Sequence, residues 1–146
     1  MAYSTEFSRA ITIGILINIK MEEFGFEYVS TKVLAKQLKI PAPTVVRILK
    51  SLNAAGITTT KEGSKGGVLL AKPIAKITLL DIFLALEHGH LFKTEIDFIV
   101  EDSRIEQFKE VLMGRMQDAE DAMKQSLAKT TLADIAKDIV AAVYEK

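Results

Sequence analysis

The 146-residue chain contains no cysteine and no tryptophan, and it has only two histidines. The lack of cysteine excludes disulfides, thiolate metal sites and thiol nucleophiles within this sequence. Long apolar runs are also missing, since residues 11–19 are too few and too interrupted to span a bilayer. The chain begins Met-Ala-Tyr-Ser without a basic-then-apolar leader. We therefore expect a cytoplasmic protein with no membrane partner.

The motifs of common enzyme classes are missing as well. There is no phosphate-binding glycine loop and no HExxH metal motif, and a turn explains the glycines within residues 63–67. Imidazole and carboxylate groups that can bind a metal occur close together in sequence, at His88, His90, Glu95, Asp97, Glu101 and Asp102. Histidines without a sharp spacing motif are more often solvent-facing or structural. We assign no catalytic residue, no metal ligand and no cofactor.

Charge is distributed unevenly along the chain, although the totals of 19 basic and 19 acidic residues cancel. Residues 1–76 contain 11 basic and 5 acidic side chains, a net charge of +6, whereas residues 77–146 contain 8 and 14, a net charge of −6. A basic half favours phosphate binding, although lysines can also simply solvate helix faces. We divide the chain into a DNA-binding domain, 1–76, and a helical effector and dimerisation region, 77–146.

Two short helices joined by a tight turn are predicted in the basic half. Each segment has an apolar face, formed by Val33, Leu34 and Leu38 in the first and by Val45, Ile48, Leu49 and Leu52 in the second. Ser30 or Thr31 is a good N-cap for the first helix. The prolines at 41 and 43 place the start of the second helix near Ala42, because a missing amide hydrogen costs little there.

The second helix also has a polar side, on which Thr44, Arg47 and Lys50 follow one another at steps of three. Such a row suits the major groove of DNA. A β-branched segment at 57–61, a glycine-rich turn and a partner segment at 68–71 predict a hairpin after this helix. This order describes a mainly α protein with a small hairpin wing, a winged helix-turn-helix. Two helices and a hairpin in an unrelated small domain remain the alternative.

The remaining segments are predicted to be helical. A first helix is expected over about residues 4–20. Thr78 and Asp81 have the spacing of a capping box at the start of a further helix, and Thr131 and Asp134 repeat that signature before the last helix. These helices provide the apolar surface that braces the two short ones.

Ser103 is expected to cap a long helix whose apolar residues recur at steps of three and four. A helix of about 25 residues extends nearly 40 Å, more than a small domain covers by itself, so we expect its stripe to meet a second copy of the chain. The expected homodimer interface consists of Ile105, Phe108, Leu112, Met116, Ala119 and Met123. Packing against the last helix within one chain is the alternative, and both packings can coexist.

Several segments together resemble the Rrf2 family of bacterial winged-helix transcription regulators, which includes IscR and NsrR. The segments that carry the resemblance are residues 1–5, 52–57, 66–73, 77–82 and 131–135, in that order. The sequence Ile-Thr-Leu-Leu-Asp-Ile at 77–82 is the most specific of them. The resemblance implies a homodimeric regulator, usually a repressor, whose long helix forms the dimer interface.

The resemblance also assigns DNA contacts by position. Arg47 is the expected base reader, because a planar guanidinium can pair with a guanine edge in two places, and Lys50 is expected to contact phosphate. Glu62 stands where relatives commonly have arginine, and Lys61 and Lys65 flank it. The full set of expected DNA-binding residues is Tyr3, Ser30, Thr31, Lys32, Pro43, Thr44, Val46, Arg47, Lys50, Lys61, Ser64 and Lys65.

The effector region differs from that of cluster-binding relatives, which have three cysteines between the capped helix and the dimer helix. This chain has none, so thiolates cannot hold an iron-sulfur cluster here. A small-molecule effector near Leu91, Phe92 and Phe98 is expected instead, and the alternative is that these side chains are core. The sequence therefore predicts a sequence-specific dimeric repressor that binds double-stranded DNA. The competing hypothesis is a winged-helix module that binds another protein.

Overall fold

The structure is a computed structural model and describes residues 5–87, 89, 91–92, 96–99 and 102–144. Its elements are α1 (Glu6–Glu22), α2 (Thr31–Leu38), α3 (Ala42–Ala54), β1 (Thr58–Lys61), β2 (Gly67–Leu70), a 3-10 turn (Ile74–Lys76), α4 (Leu79–Leu86), α5 (Ser103–Ala128) and α6 (Leu132–Tyr144). The predicted mainly α fold with a hairpin is confirmed. Five residues named above lie outside the described part of the chain: Tyr3, His88, His90, Glu95 and Glu101.

The corner between α2 and α3 forms as its sequence predicts. The Ser30 hydroxyl accepts a hydrogen bond from the Val33 amide at 3.1 Å, so Ser30 is the N-cap of α2. Lys39 turns the chain in the left-handed conformation, at φ +53°, and α3 then begins at Ala42 directly after Pro41. The apolar faces of the two helices pack together in the core, where Leu34 and other side chains of the pattern are buried.

The hairpin is a two-stranded antiparallel sheet in which Thr58 pairs with Leu70 and Lys61 with Gly67. Val29 joins its edge through a bridge to Val68, with two backbone hydrogen bonds of 2.8 Å. The segment before α2 is thereby fixed to β2. The wing and the helix-turn-helix consequently form one packed unit.

The start of α6 is joined to the start of α4. Leu79 N–H donates to the Thr130 carbonyl and Leu132 N–H to the Ile77 carbonyl, both at 2.9 Å. Each helix also has its predicted capping box, since Thr78 and Asp81 exchange hydrogen bonds, as do Thr131 and Asp134. Leu132 reaches the core against Gly14 of α1, where an added Cβ would stand 3.0 Å from the leucine side chain.

The long helix α5 has 26 residues, close to the predicted length, but Asp102 rather than Ser103 is its N-cap. The Asp102 carboxylate accepts from the amides of Arg104 and Ile105, because its side chain reaches two exposed N–H groups of the first turn. Within the chain α5 packs along α4, whereas α6 packs on α1 and the 3-10 turn. None of the helices in the described ranges is long and apolar enough to cross a membrane.

Candidate nucleic-acid interface

The exposed side of α3 carries the side chains predicted to read bases. Pro43, Val46, Arg47 and Lys50 are exposed, and Thr44 is half-buried. The opposite side of the same helix is buried, since four apolar side chains anchor it in the core. Because the anchored side fixes the rotation of α3, these predicted residues share one outward surface.

The beginning of α2 lies in the same helix-turn-helix unit. Lys32 is exposed and Thr31 is half-buried. The Ser30 hydroxyl is used as a hydrogen-bond acceptor in the cap, and its own proton remains a possible donor to an anion. The first amides of a helix have no partner within the helix. The start of α2 therefore combines a basic side chain with hydrogen-bond donors of the kind that hold phosphate.

The wing adds further exposed charge. Lys61, Glu62, Ser64 and Lys65 are all exposed at its tip, so the structure presents the predicted wing residues to solvent. The Lys61 ammonium also lies 5.3 Å from the centre of the Tyr28 ring. A cation held over an aromatic ring in this way is attracted to the ring face. The Lys61 ammonium is therefore directed towards Tyr28, and the acidic Glu62 follows it in the chain.

Sequence reasoning missed the role of Asn53, which connects the end of α3 to the wing. Its Nδ2 group donates to Thr60 Oγ1 at 2.7 Å, and its Oδ1 atom accepts from the Thr58 hydroxyl. The sequence signal for this contact is an asparagine at the end of a helix followed by a threonine-rich strand. Asn53 fixes the angle between the two elements that are predicted to contact DNA.

The turn of the wing depends on Gly66. A Cβ at this position would lie 1.9 Å from the Lys61 carbonyl oxygen, so the backbone of the turn has to open to admit alanine. We expect Gly66→Ala to lower the free energy of unfolding by about 1–3 kcal/mol, measured by urea denaturation. The control is Gly114→Ala in α5, where an added Cβ meets nothing within 4 Å. That variant should gain up to about 1 kcal/mol, and an equal loss in both would contradict the steric argument.

Arg47 is held by a partner that the sequence analysis did not include. Its Nε atom donates to Glu6 Oε1 at 2.8 Å, and Nη2 forms an ion pair with the same oxygen. Glu6 is the first residue of α1, 41 positions away in sequence, so no local spacing pattern links the two. The contact brings the start of α1 to the side of α3 that faces solvent. The predicted base reader thus lies beside a carboxylate.

The residues predicted to form an effector pocket lie along α5. Phe98 packs edge-to-face on Phe108 with ring centres 6.0 Å apart, whereas the Leu91 amide donates to the buried carboxylate of Glu120. Phe92 is half-buried. Phe108 and Glu120, the two residues of α5 that make these contacts, are about 18 Å apart along the helix axis. The structure therefore places Leu91 and Phe98 at different points of α5, and a shared pocket stays a prediction.

Residues 3–138 match the sequence model of the Rrf2 family, which is described as iron-dependent transcriptional regulators. The chain belongs to the Rrf2 family. Its fold is the winged helix of that family, and the protein is a DNA-binding transcriptional regulator. Rrf2 regulators bind DNA and are typically dimeric. The family and the matched relatives are regulators of transcription rather than enzymes.

Individual relatives agree with this assignment. The chain is 27% identical to the HTH-type regulator named YffB of Lactococcus lactis over 113 residues, which cover 75% of this chain and 72% of YffB. It is 31% identical to the HTH-type regulator named YwgB of Bacillus subtilis over 58 residues, which cover 40% of this chain and 37% of YwgB. The matched segment thus spans about a third of YwgB.

Solved structures have the same fold. T. potens IscR superposes with a TM-score of 0.68 at 22% identity, covering 98% of this chain and 91% of IscR. CymR, the global cysteine regulator of B. subtilis, superposes with a TM-score of 0.65 at 26% identity, covering 94% of this chain and 97% of CymR. A regulator from Lactobacillus plantarum reaches a TM-score of 0.77 at 19% identity, covering 92% of this chain and 89% of that one.

The Rrf2 family is described as iron-dependent, but this chain cannot hold an iron-sulfur cluster through cysteine thiolates. Iron-sulfur clusters need cysteine ligands, and the 146 residues contain none. Among the residues that the structure describes, no group of three or more histidine, aspartate or glutamate side chains is arranged to hold a metal ion. His88 and His90 lie outside that part of the chain.

Proposed function

We propose that this chain is a sequence-specific homodimeric repressor whose α3 reads bases in the major groove. The observation that carries the proposal is the exposed side of α3, where Arg47 and Lys50 project from a helix whose other side is anchored in the core. Repression by occupying a promoter needs nothing beyond this binding. A regulator of transcription works where the chromosome is, so we propose a cytoplasmic location.

Charge supports this orientation on DNA. The segment 1–76 that contains the winged helix has a net charge of +6, and the segment 77–146 has −6. Lysine and arginine side chains displace condensed counterions from the duplex, whereas carboxylates are repelled by it. We propose that the first segment is the DNA-binding domain, with Ser30, Lys32, Lys61 and Lys65 on phosphates, and that the second faces away.

A second copy of the chain is the proposed partner of α5. One side of this helix already packs along α4, so Leu112, Met116 and Met123 are half-buried within a single chain. The neighbouring side remains open, with Phe108 51% and Val111 62% exposed. At steps of three and four the same row continues through Arg115 to two small side chains, Ala119 and Ala122, which permit close approach of another helix. A two-fold dimer also matches the symmetry of a palindromic operator.

A small organic effector is the proposed regulator of this activity. The hydrogen bond from the Leu91 amide to Glu120 attaches the segment after α4 to the middle of α5. Apolar side chains of the same segment, Phe92 and Phe98, lie beside it in sequence. A ligand that binds beside the contact between Leu91 and Glu120 would shift this segment relative to α5. Unfolding midpoints measured across a panel of small metabolites would test the proposal.

Arg47→Ala is expected to cost about 1–3 kcal/mol of operator affinity, because a bidentate guanine contact is lost. Genomic fragments are first captured with purified protein at two salt concentrations, and the retained DNA is sequenced. Affinity for the enriched fragment is then measured for the wild type and the variant.

Two further variants make the result specific. Arg104→Ala is the matched control, because Arg104 is exposed at the start of α5, away from the winged helix. Lys65→Ala should reduce the slope of log affinity against log salt by about 0.9 on any sequence, because one phosphate contact is lost. Uniform retention of all fragments would contradict sequence-specific binding and would favour the protein-interaction module. Unchanged affinity in Arg47→Ala would contradict the assigned base contact.

A further inference from the structure

A small cleft lies between α1 and the turn that joins α2 to α3, and its volume is about 230 Å³. We call it the basic cleft, and the described residues that line it are Ser8, Arg9, Thr12, Leu38, Lys39 and Ile40. The hydroxyl groups of Ser8 and Thr12 donate to the backbone carbonyls of Thr5 and Ser8, at 3.0 and 2.8 Å. The charge of this lining therefore comes from Arg9 and Lys39, and both are basic.

The two basic side chains of the cleft are not neutralised within the part of the chain that the structure describes. Neither Arg9 nor Lys39 forms an ion pair there. Glu6 lies one turn before Arg9 on α1, and its carboxylate contacts Arg47. Two like charges in one cleft repel each other, and an anion held between them turns that repulsion into attraction. The basic cleft is therefore suited to an anion.

The backbone of Lys39 gives an independent sign that its side chain is used. Among the described residues other than glycine, Lys39 is the one with a positive φ, at +53° with ψ +43°. Glycine is the usual residue at this position after a helix, because a Cβ is disfavoured in the left-handed conformation. The Lys39 side chain is exposed, so burial does not account for it. A side chain kept in such a conformation points to a function.

The basic cleft lies beside the start of α3, which begins three residues after Lys39. The first residues of the second helix of a helix-turn-helix enter the major groove, so the DNA backbone passes this helix end. Pro41 and Pro43 have no N–H group, and the amides of Thr44 and Val45 donate to the Pro41 carbonyl at 3.0 and 3.2 Å. The start of α3 therefore offers a phosphate fewer amide donors than an ordinary helix start. Basic side chains have to supply the contact instead.

We propose that Arg9 and Lys39 form a phosphate clamp, which holds one backbone phosphate at the edge of the groove that α3 enters. The inference rests on the proposed function, since it requires the start of α3 to face the duplex. Arg9 reaches this edge because α1 begins beside α3, where Glu6 contacts Arg47. Phosphate contacts fix the register of a protein on DNA without reading the sequence. Arg9 and Lys39 are therefore positioning residues for α3, and neither is among the DNA contacts expected from the sequence.

The test measures how salt affects binding to a random-sequence duplex for Arg9→Gln, Lys39→Gln and the double variant. The slope of log affinity against log salt should be shallower by about 0.9 in the double variant, because one phosphate contact is lost. Each single variant should lose no more than that, because the two side chains share the phosphate. Binding of the double variant at about 0.15 M salt should be roughly fivefold weaker. The fragment enriched by the genomic capture should show the same loss, so the ratio of the two affinities stays within twofold of wild type.

Lys39→Gly separates the phosphate contact from a structural role of the turn. Glycine adopts the conformation of residue 39 without the cost of a Cβ, so the urea midpoint should stay the same or rise. The salt slope should still fall as it does in Lys39→Gln. A lower urea midpoint would assign Lys39 to the stability of the turn and would overturn the argument from its backbone.

Lys129→Gln is the matched control for net charge. Lys129 is exposed at the end of α5, in the segment that we propose faces away from DNA. Its variant loses one positive charge without touching the basic cleft, so its salt slope should equal that of wild type. An equal fall of the slope in Lys129→Gln would overturn the clamp, because the charge would then act without a local contact.

The remaining outcomes distinguish the clamp from the proposed function. An unchanged slope in the double variant overturns the clamp while leaving sequence-specific binding intact. A loss of about 1.8 in the double variant overturns the shared phosphate, because two separate phosphates are then contacted. Failure of the wild type to prefer any fragment overturns the proposed function alone, since the clamp is measured on random DNA. A shallower slope confined to the variants of the cleft, with the affinity ratio unchanged, supports the clamp.

Discussion

Leu132→Ala is expected to lower the free energy of unfolding by about 2–5 kcal/mol, one of the two largest effects that we predict. Leu132 has no exposed surface, and it is the buried residue through which α6 reaches the core. Its side chain stands directly against Gly14 of α1, which has no side chain to extend into a cavity. Truncation therefore removes apolar burial and leaves a void.

Urea denaturation followed by circular dichroism measures this loss. Ile139→Ala is the matched control, because Ile139 lies on the same helix and is 50% exposed. A surface truncation of this kind should change stability by no more than about 0.5 kcal/mol. Equal effects of the two substitutions would show that α6 does not depend on its first turn for attachment. Loss of the helix signal at low urea in Leu132→Ala alone would support the packing argument.

Local structure was predictable because it depends on neighbouring residues. The hydroxyl of Ser30 and the pair Thr78 and Asp81 cap helices through contacts three residues away, so their types and spacing were sufficient. Asp102 displaced Ser103 as the cap of α5 by a single position, since both side chains suit that place and the final choice depends on how the chain enters the helix. The wing followed from its glycines and β-branched residues.

The contacts that organise the candidate interface were not predictable in the same way. Glu6 reaches Arg47 only because α1 and α3 cross in the folded core, and nothing in the local spacing of either helix encodes that crossing. The burial of Glu120 was not predictable either. A glutamate in a charged helix is expected to face solvent, whereas the fold buries it against the Leu91 amide. Sequence patterns therefore identified which residues α3 exposes, and tertiary packing decided which partners they meet.

Val111→Asp is expected to convert the proposed dimer into monomers without unfolding the chain. Val111 is 62% exposed in a single chain, so a carboxylate there remains hydrated in the monomer. In the proposed dimer it would leave water once in each copy, beside Arg115, which lies one turn along α5. Burial of a charge costs about 3–5 kcal/mol when the charge is unpaired and less beside an opposite charge, so association should weaken by up to roughly a hundred- to several-thousand-fold.

Analytical ultracentrifugation at micromolar concentration measures this shift, and Val140→Asp provides the matched control. Val140 is 55% exposed on α6, outside the proposed seam, so its variant should remain dimeric. Leu112→Asp is less informative, because Leu112 is half-buried within one chain and the charge would also disturb the fold. A monomeric wild type would refute the dimer, and dissociation by Val140→Asp alone would move the interface to α6.

If only the Val111→Asp variant dissociates, the affinity of that variant for a palindromic operator should fall as well. Its two half-sites are then bound independently rather than by one joined pair of α3 helices.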